Sequence, residues 1–351
     1  MVLNVNPPRR LAWMAPLLAL SIGCSMAFAP GPVATAQDAP ALVVDDAATA
    51  NPDLVDVQVS DPAGVGISGQ TLQVPEGYGV SVIAQLSEPR FMAIDAAGSL
   101  LVSDAGDGVI YRYPFDGVAF GDQETLLSGL SRPASVALFT TDDGPYLYVG
   151  EPNQVTRYQY DTAGAAGEPE IVIPDLPTGG HSTRTVTFGP DGMLYLAVGS
   201  SCNICVEEDA IRATVSRASP DGSDLQIIAT GLRNPVGLAF QPDTETLWAT
   251  VNERDQQGNE IPPDLVTIVT EGANYGWPAC MPPDAAPQES GADCSGITPP
   301  TVGIQAHSAA RVDLSRRRRR TRRPGWRSDR RSAWLLESPA AGRAEAAADR
   351  F

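Results

Sequence analysis

The sequence predicts an all-β chain built as a β-propeller, and three observations carry that expectation. Glycine and proline supply 33 and 31 of the 351 residues, a turn-rich composition that suits short strands better than helical bundles. One strand–turn–strand pattern recurs between residues 88 and 255. Its anchoring leucines, Leu100, Leu147, Leu194 and Leu247, lie 47, 47 and 53 residues apart, and strand clusters at roughly 40–50 residues per unit are the mark of propeller blades.

The first unit reads Phe91-Met92-Ala93-Ile94, a turn, then Gly98-Ser99-Leu100-Leu101-Val102-Ser103. The second is Ser135-Val136-Ala137-Leu138 with Tyr146-Leu147-Tyr148-Val149-Gly150. The pattern returns as Thr185-Val186-Thr187-Phe188-Gly189-Pro190-Asp191-Gly192-Met193-Leu194, and again as Val236-Gly237-Leu238-Ala239-Phe240 with Leu247-Trp248-Ala249-Thr250. A third strand follows in the first two units, at Gly108–Tyr113 and Gln154–Tyr158. A sandwich of unrelated hairpins accounts for the alternation but not for the period. Four blades are visible, a fifth is expected to begin near Val302, and nothing after Ala310 continues the pattern.

All 24 basic side chains are arginine, set against 42 acids for a formal charge of −18. Thirteen of these arginines fall between Arg311 and Arg350 beside five acids, so that stretch is +8 while residues 1–310 carry −26. A body this acidic excludes nucleic acid or an anionic membrane as a partner held by the general field. A hydrophobic content of 43% excludes global disorder, and the length allows one large core.

Arg9-Arg10 precede a short apolar run, Leu11 to Gly23, which reads as an export signal. Leu20-Ser21-Ile22-Gly23-Cys24 is similar to a bacterial lipoprotein box, with Ser21 where an aliphatic residue is usual. Two readings stay open: a lipid anchor through Cys24, or a cleaved signal and a free periplasmic protein. Residues 1–24 are thus the address, and residues 25–69, rich in Ala, Pro, Asp and Val without period, are expected to be a disordered tether. Apart from Cys24, the five cysteines form close pairs, Cys202/Cys205 and Cys280/Cys294. The second gap fits no common zinc spacing, and Cys202 follows a strand rather than starting a helix, so structural disulfides in an oxidising compartment are the better reading.

Functional residues of a propeller gather in the loops at one end. Outside the signal and the tail nine arginines remain, and five lie in a short span: Arg184, Arg212, Arg217, Arg233 and Arg254. In an acidic body they point to an anionic ligand, since the guanidinium fork pairs with carboxylate or phosphate; for Arg212 and Arg217, surface ion pairs are the simpler account. The two histidines, His181 and His307, sit at loop positions, and His181 stands between glycines and Arg184.

At these residues a resemblance takes hold. His181-Ser182-Thr183-Arg184 with Phe188-Gly189-Pro190-Asp191-Gly192 resembles the glucose/sorbosone dehydrogenase family. So do Gly231-Leu232-Arg233-Asn234-Pro235, Asn252-Glu253-Arg254-Asp255, Asn274-Tyr275-Gly276-Trp277-Pro278 and Gln305-Ala306-His307-Ser308-Ala309. The resemblance covers about residues 70–310. It implies a six-bladed propeller, of which four to five blades are encoded here, and an exported dehydrogenase using pyrroloquinoline quinone (PQQ). The Cys202/Cys205 insertion and the Asn-Glu-Arg-Asp element are more similar to the sorbosone branch. By the same resemblance His181 is the general base, Arg233 and Asn234 contact the quinone with Arg184 and Arg90 as further cofactor residues, and the Arg254-Asp255 segment holds Ca2+. The family has Gly-Pro at that last point, which leaves the mode of metal binding open. The implied substrate is a small sugar or aldehyde, with an external electron acceptor.

After His307-Ser308-Ala309 the family continues with Pro-Leu-Gly and later His-Gly-Ser-Trp-Asn-Arg, whereas this sequence turns to an arginine run. Back-translating residues 309–315 and 333–340 with permitted codons, and reading one base later, yields Pro-Leu-Gly-Leu-Thr-Phe and His-Gly-Ser-Trp-Asn-Arg-Pro. Residues 70–310 are therefore read as an incomplete propeller, and 311–351 as a tail out of frame. Two other functions compete: a calcium-dependent propeller hydrolase such as a lactonase, which needs a cage of Asp, Asn and Glu at the channel centre, and a non-catalytic binding propeller.

Overall fold

The computed structural model describes residues 2–3 and 54–304, apart from 68, 162–165, 243, 259–260, 283–285 and 289–290. The export signal, Cys24, His307 and the arginine-rich tail lie outside the described residues. The chain divides into two compact units, Met1–Gln85 and Leu86–Phe351.

In the first unit Leu54–Gln58 pairs antiparallel with Thr71–Pro75. Val55 and Val57 alternate with Asp56 and Gln58, the period of a strand covered on one face. Val57, Ile67, Leu72 and Val82 pack against the buried Val59, Val74 and Val80. The connecting loop is tied by Asp61, whose carboxylate accepts the Val65, Gly66 and Ile67 amides. The stretch read as a tether, 25–69, therefore ends in ordered structure: short as it is, Leu54–Gln58 has a partner strand to bury its valines.

The second unit is a fan of four antiparallel blades, without a helix among the described residues. Blade I runs Pro89–Ile94, Leu100–Asp104, Val109–Tyr113 and Glu124–Leu127. Blade II runs Ser135–Thr141, Gly144–Glu151, Gln154–Tyr160 and Ala166–Ile173. Blade III runs Arg184–Phe188, Leu194–Val198, Thr214–Ala218 and Gln226–Thr230, with Ala273–Asn274 added in parallel at its edge. Blade IV runs Pro235–Phe240, Leu247–Val251 and Asp264–Ile268, and its outer strand is Val302–Ile304.

That last strand corrects an expectation. Val302–Ile304 does not open a fifth blade; it pairs antiparallel with Asp264–Ile268, Val302 opposite Val266 and Ile304 opposite Asp264. Before returning to its own blade, the chain leaves for an excursion that carries the Ala273–Asn274 strand and the Cys280–Cys294 disulfide.

The leucine period has a physical origin. Leu100, Leu147, Leu194 and Leu247 all lie on second strands and are almost wholly buried. The second strand of blade III has blade neighbours over both faces, which is why Leu194-Tyr195-Leu196-Ala197-Val198 is apolar without a break. The core is accordingly three seams between neighbouring blades. Leu101 and Ile110 meet Val136 and Leu147 between blades I and II. Tyr148 and Val155 meet Val186 and Leu196 between II and III, where Phe139 stacks on Phe188 at 4.1 Å. Ala197 and Val215 meet Ala249 and Leu265 between III and IV. Hydroxyls stitch the first strands across the seams: Ser135 donates to the Arg184 carbonyl at 2.7 Å, and Thr185 donates to that of Val236.

Candidate active site

In an up-and-down blade, the loop entering the first strand and the loop leaving the second lie at the same end. Arg90, His181 and Arg233 are on entering loops or first-strand starts, and the Ser200–Cys205 and Asn252–Asp255 segments leave second strands. Antiparallel pairing alone therefore delivers these residues to one face.

His181 precedes the first strand of blade III. Gly180 before it adopts φ +59, and a Cβ there would lie 2.4 Å from the Ser201 carbonyl oxygen, so this tight entry requires glycine. The His181 amide donates to the Ser200 carbonyl at 2.9 Å. Its ring Nδ1 lies 3.1 Å from the Ser200 carbonyl oxygen and 2.9 Å from Ser200 Oγ. Burial, then the Arg233 charge, holds the imidazole below its ordinary pKa of 6.5; the Ser200 backbone bond, Asp255 and Glu207 pull the other way. The neutral ring is favoured.

Two arginines hold this loop from behind. Arg184 is fully buried and donates from Nη1 to the carbonyls of His181 and Thr183, and from Nη2 to that of Pro177. Burial and the neighbouring Arg212 lower its pKa to about 10, and it remains a cation at neutral pH. Arg212 donates to the carbonyls of Thr178, Gly179 and Gly199. The surface ion pair expected for Arg212 is not its main engagement: it is 5% exposed, and its carboxylate neighbours Glu207 and Asp209 lie at 4.0 Å. Arg217 does keep a surface pair, with Glu271 at 3.4 Å.

Arg233 is the hub of the blade III–IV side. Nε donates to Asn203 O, Nη1 to Asn252 O and Glu253 O, and Nη2 to Asn203 Oδ1 and to Asp255 Oδ2 at 3.0 Å. Those five bonds use all five of its donors. Next to it Asn234 is buried, and its Oδ1 has no hydrogen-bond partner among the described residues. Gly199 makes room for it: a Cβ there would lie 2.5 Å from Asn234 Oδ1 and 2.6 Å from His181 Cβ. The imidazole and the orphaned amide thus flank one glycine. From blade I, Arg90 reaches to Thr183 Oγ1 at 3.1 Å, joining the same loop.

Arg254 is buried against Glu253 at 2.6 Å and donates to the carbonyls of Pro278 and Cys280. Burial raises the Glu253 pKa to about 7 against the pull of Arg254 and Arg233. A guanidinium has donors only and cannot ligate a cation. The Asp255 carboxylate is taken by Arg233, and its carbonyl accepts from Asn203 Nδ2. As arranged, these two side chains do not fit calcium. No three His, Cys, Asp or Glu side chains among the described residues gather into a metal-holding group.

Both disulfides have formed, Cys202–Cys205 and Cys280–Cys294, and both touch this network. The first loop carries Asn203, whose carbonyl also accepts from Trp277 Nε1; the second carries the Cys280 carbonyl. Ser200, Asn203, Glu253 and Trp277 were not expected as site residues. The signals were present for three of them: Asn203 lies between the paired cysteines, and Glu253 and Trp277 lie inside motifs singled out in the sequence. A cavity of about 230 Å³ between blades III and IV, lined by Asp191, Arg217, Phe240 and Glu271, lies by the same strand logic at the opposite end.

The four blades, with their entering and leaving loops gathered at one end, are those of a β-propeller. Residues 72–290 match the TrAA12-like family, and the chain belongs to it. It is 25% identical over 260 residues to a pyrroloquinoline quinone-dependent sugar dehydrogenase of Hypocrea jecorina, covering 64% of this chain and 58% of that protein. It is 31% identical over 121 residues to the aldose sugar dehydrogenase YliI of Escherichia coli, covering 30% and 31%. The chain thus spans less than two thirds of either relative. Its fold is similar to the holo form of the pyranose dehydrogenase PQQ domain from Coprinopsis cinerea, with a TM-score of 0.57 at 19% identity over 67% of this chain and 70% of that one.

Proposed function

We propose that this chain is a PQQ-dependent dehydrogenase acting on a sugar hydroxyl or aldehyde hydrate, with His181 as general base. The observation that carries the reading is a neutral imidazole beside the buried Asn234, whose Oδ1 is an acceptor without a partner among the described residues, on a face that also carries Arg90, Arg184 and Arg233. The positive charge of these arginines suits a polyanionic quinone. Arg90 and Asn234 meet the cofactor, Arg233 sets the field from behind Asn234, and Arg184 shapes the loop on which His181 rides. The quinone, when bound, supplies the two-electron acceptor. His181 Nε2 takes the substrate hydroxyl proton as hydride leaves its carbon, and burial keeps the ring unprotonated for that task. The Arg254–Asp255 segment braces the site through Glu253, Arg233 and the carbonyls of Pro278 and Cys280. Export is part of the proposal, supported by the Arg9-Arg10 signal pattern and two disulfides.

Titrating PQQ into the 351-residue chain, and into the version encoded by the other reading frame, tests this, together with dye reduction by aldoses and aldehydes and hydrolysis of a lactone. Quinone binding with sugar-dependent dye reduction is expected. Lactone hydrolysis without quinone binding would replace the reading with a hydrolase. Neither activity and no bound quinone in either version would leave a binding propeller.

A further inference from the structure

Second-strand ends brace the loop that enters the same blade, and the brace in blade III is different in kind. In blade I the Asp104 carboxylate accepts the Ser87 and Glu88 amides at 2.8 and 3.0 Å. In blade II the Glu151 carboxylate accepts the Ser131 amide at 2.7 Å. In blade III this place is taken by Ser200, two residues past the strand's last residue, Val198; it is a neutral hydroxyl, and it meets a side chain as well as main chain.

We propose that Ser200 is a positioning residue that locks His181 with its proton on Nδ1 and its lone pair on Nε2. The inference rests on the reading of His181 as general base. A serine hydroxyl has one proton, and here it is directed to the Cys202 carbonyl at 2.7 Å, which can only accept. The lone pairs of Ser200 Oγ then face His181 Nδ1 at 2.9 Å, beside a second pure acceptor, the Ser200 carbonyl at 3.1 Å. Both partners of Nδ1 accept, so Nδ1 must donate. The opposite tautomer would set lone pair against lone pair at the carbonyl, and would break the Cys202 bond for Oγ to donate instead. Nε2 has no hydrogen-bond partner among the described residues and is left as the basic atom. The Cys202–Cys205 disulfide ties down the carbonyl that orients the hydroxyl, so the order of command runs from disulfide to serine to imidazole. A neutral partner fixes the tautomer without the acidic charge that would raise the histidine pKa.

The chain has two histidines, so selective 15N labelling of the 351-residue protein gives a spectrum of two rings, assigned with His307→Gln. At about pH 8, where neutral imidazole dominates, His181 is expected to show a protonated Nδ1 and a bare Nε2. Ser200→Ala should shift the tautomer ratio toward Nε2–H and lower kcat for sugar oxidation about tenfold or more, with PQQ affinity unchanged; Ser200→Thr should restore both. A proton on Nε2 in the unmutated protein, or a ratio indifferent to Ser200→Ala, overturns the proposal, and the first result does not depend on any variant folding. An Nδ1–H ring without quinone-dependent turnover would uphold the positioning and sink the dehydrogenase reading instead.

Discussion

Arg184 donates from Nη1 to the carbonyl of His181 at 2.9 Å, so the candidate base is held by an arginine three residues further along its own chain. The guanidinium takes the loop's carbonyls where a β-ladder would otherwise be needed to satisfy them. Replacing it with alanine should leave several buried carbonyls unpaired and cost about 2–3 kcal/mol, read by urea unfolding. Arg217→Ala, on a surface pair, should stay within about 0.5 kcal/mol.

His181→Gln should abolish dye reduction while leaving quinone affinity close to that of the unmutated protein. Because burial and Arg233 disfavour the imidazolium, the acid limb of kcat/KM should lie below the ordinary histidine value. A limb above 6.5 would contradict the burial argument. The unfolded chain takes up this proton first, so His181 lowers stability as pH falls through 6.5, and the loss levels off below its folded pKa.

Glu253 gives the opposite slope. With its pKa raised to about 7 from 4.5, the folded state keeps a proton that the unfolded chain gives up, so stability falls as pH rises through that window. Glu253→Gln should flatten this slope in denaturant titrations at several pH values. Arg254→Ala leaves a buried carboxylate without its partner and should cost about 3–5 kcal/mol.

The two disulfides should separate stability from site geometry. Cys280–Cys294 closes the longer loop, with a sequence separation of 14 against 3. On a chain-entropy account its double serine variant should lose about 3 kcal/mol. The Cys202/Cys205 double serine variant should lose less stability but weaken the hold of Asn203 on Arg233, visible as a drop in PQQ affinity by titration.

The gene offers a test that needs no protein. Sequencing the locus and reading one base later from codon 309 should encode Pro-Leu-Gly-Leu-Thr-Phe and then His-Gly-Ser-Trp-Asn-Arg-Pro. Any other translation removes the out-of-frame account of the arginine run.

Much of the fold was legible because blade packing writes itself into a period. Leu100, Leu147, Leu194 and Leu247 recur because each second strand needs the same buried anchor. Val302 misled for a related reason: a three-residue strand looks alike whether it opens a blade or closes one, and only its bonds to Asp264–Ile268 distinguish the two. The arginines were legible as a group but not in their roles. Nothing local in Arg184 or Arg212 says that their guanidinium groups turn inward to carbonyls from their own loop and the next.

Composition, period and motif order were enough by themselves to determine an all-β propeller chain, its blade boundaries to within one strand, its disulfide pairs and the family it resembles. These are properties of local alternation and spacing. The tertiary structure decided which donors are already spent. Arg233 has all five committed, Arg254 is paired with Glu253, Asp255 is held by Arg233, and Ser200 hands its single proton to Cys202. Hydrogen-bond capacity is finite, and how it is shared depends on partners as much as 93 residues apart, as between Arg90 and Thr183. No sequence window contains that allocation.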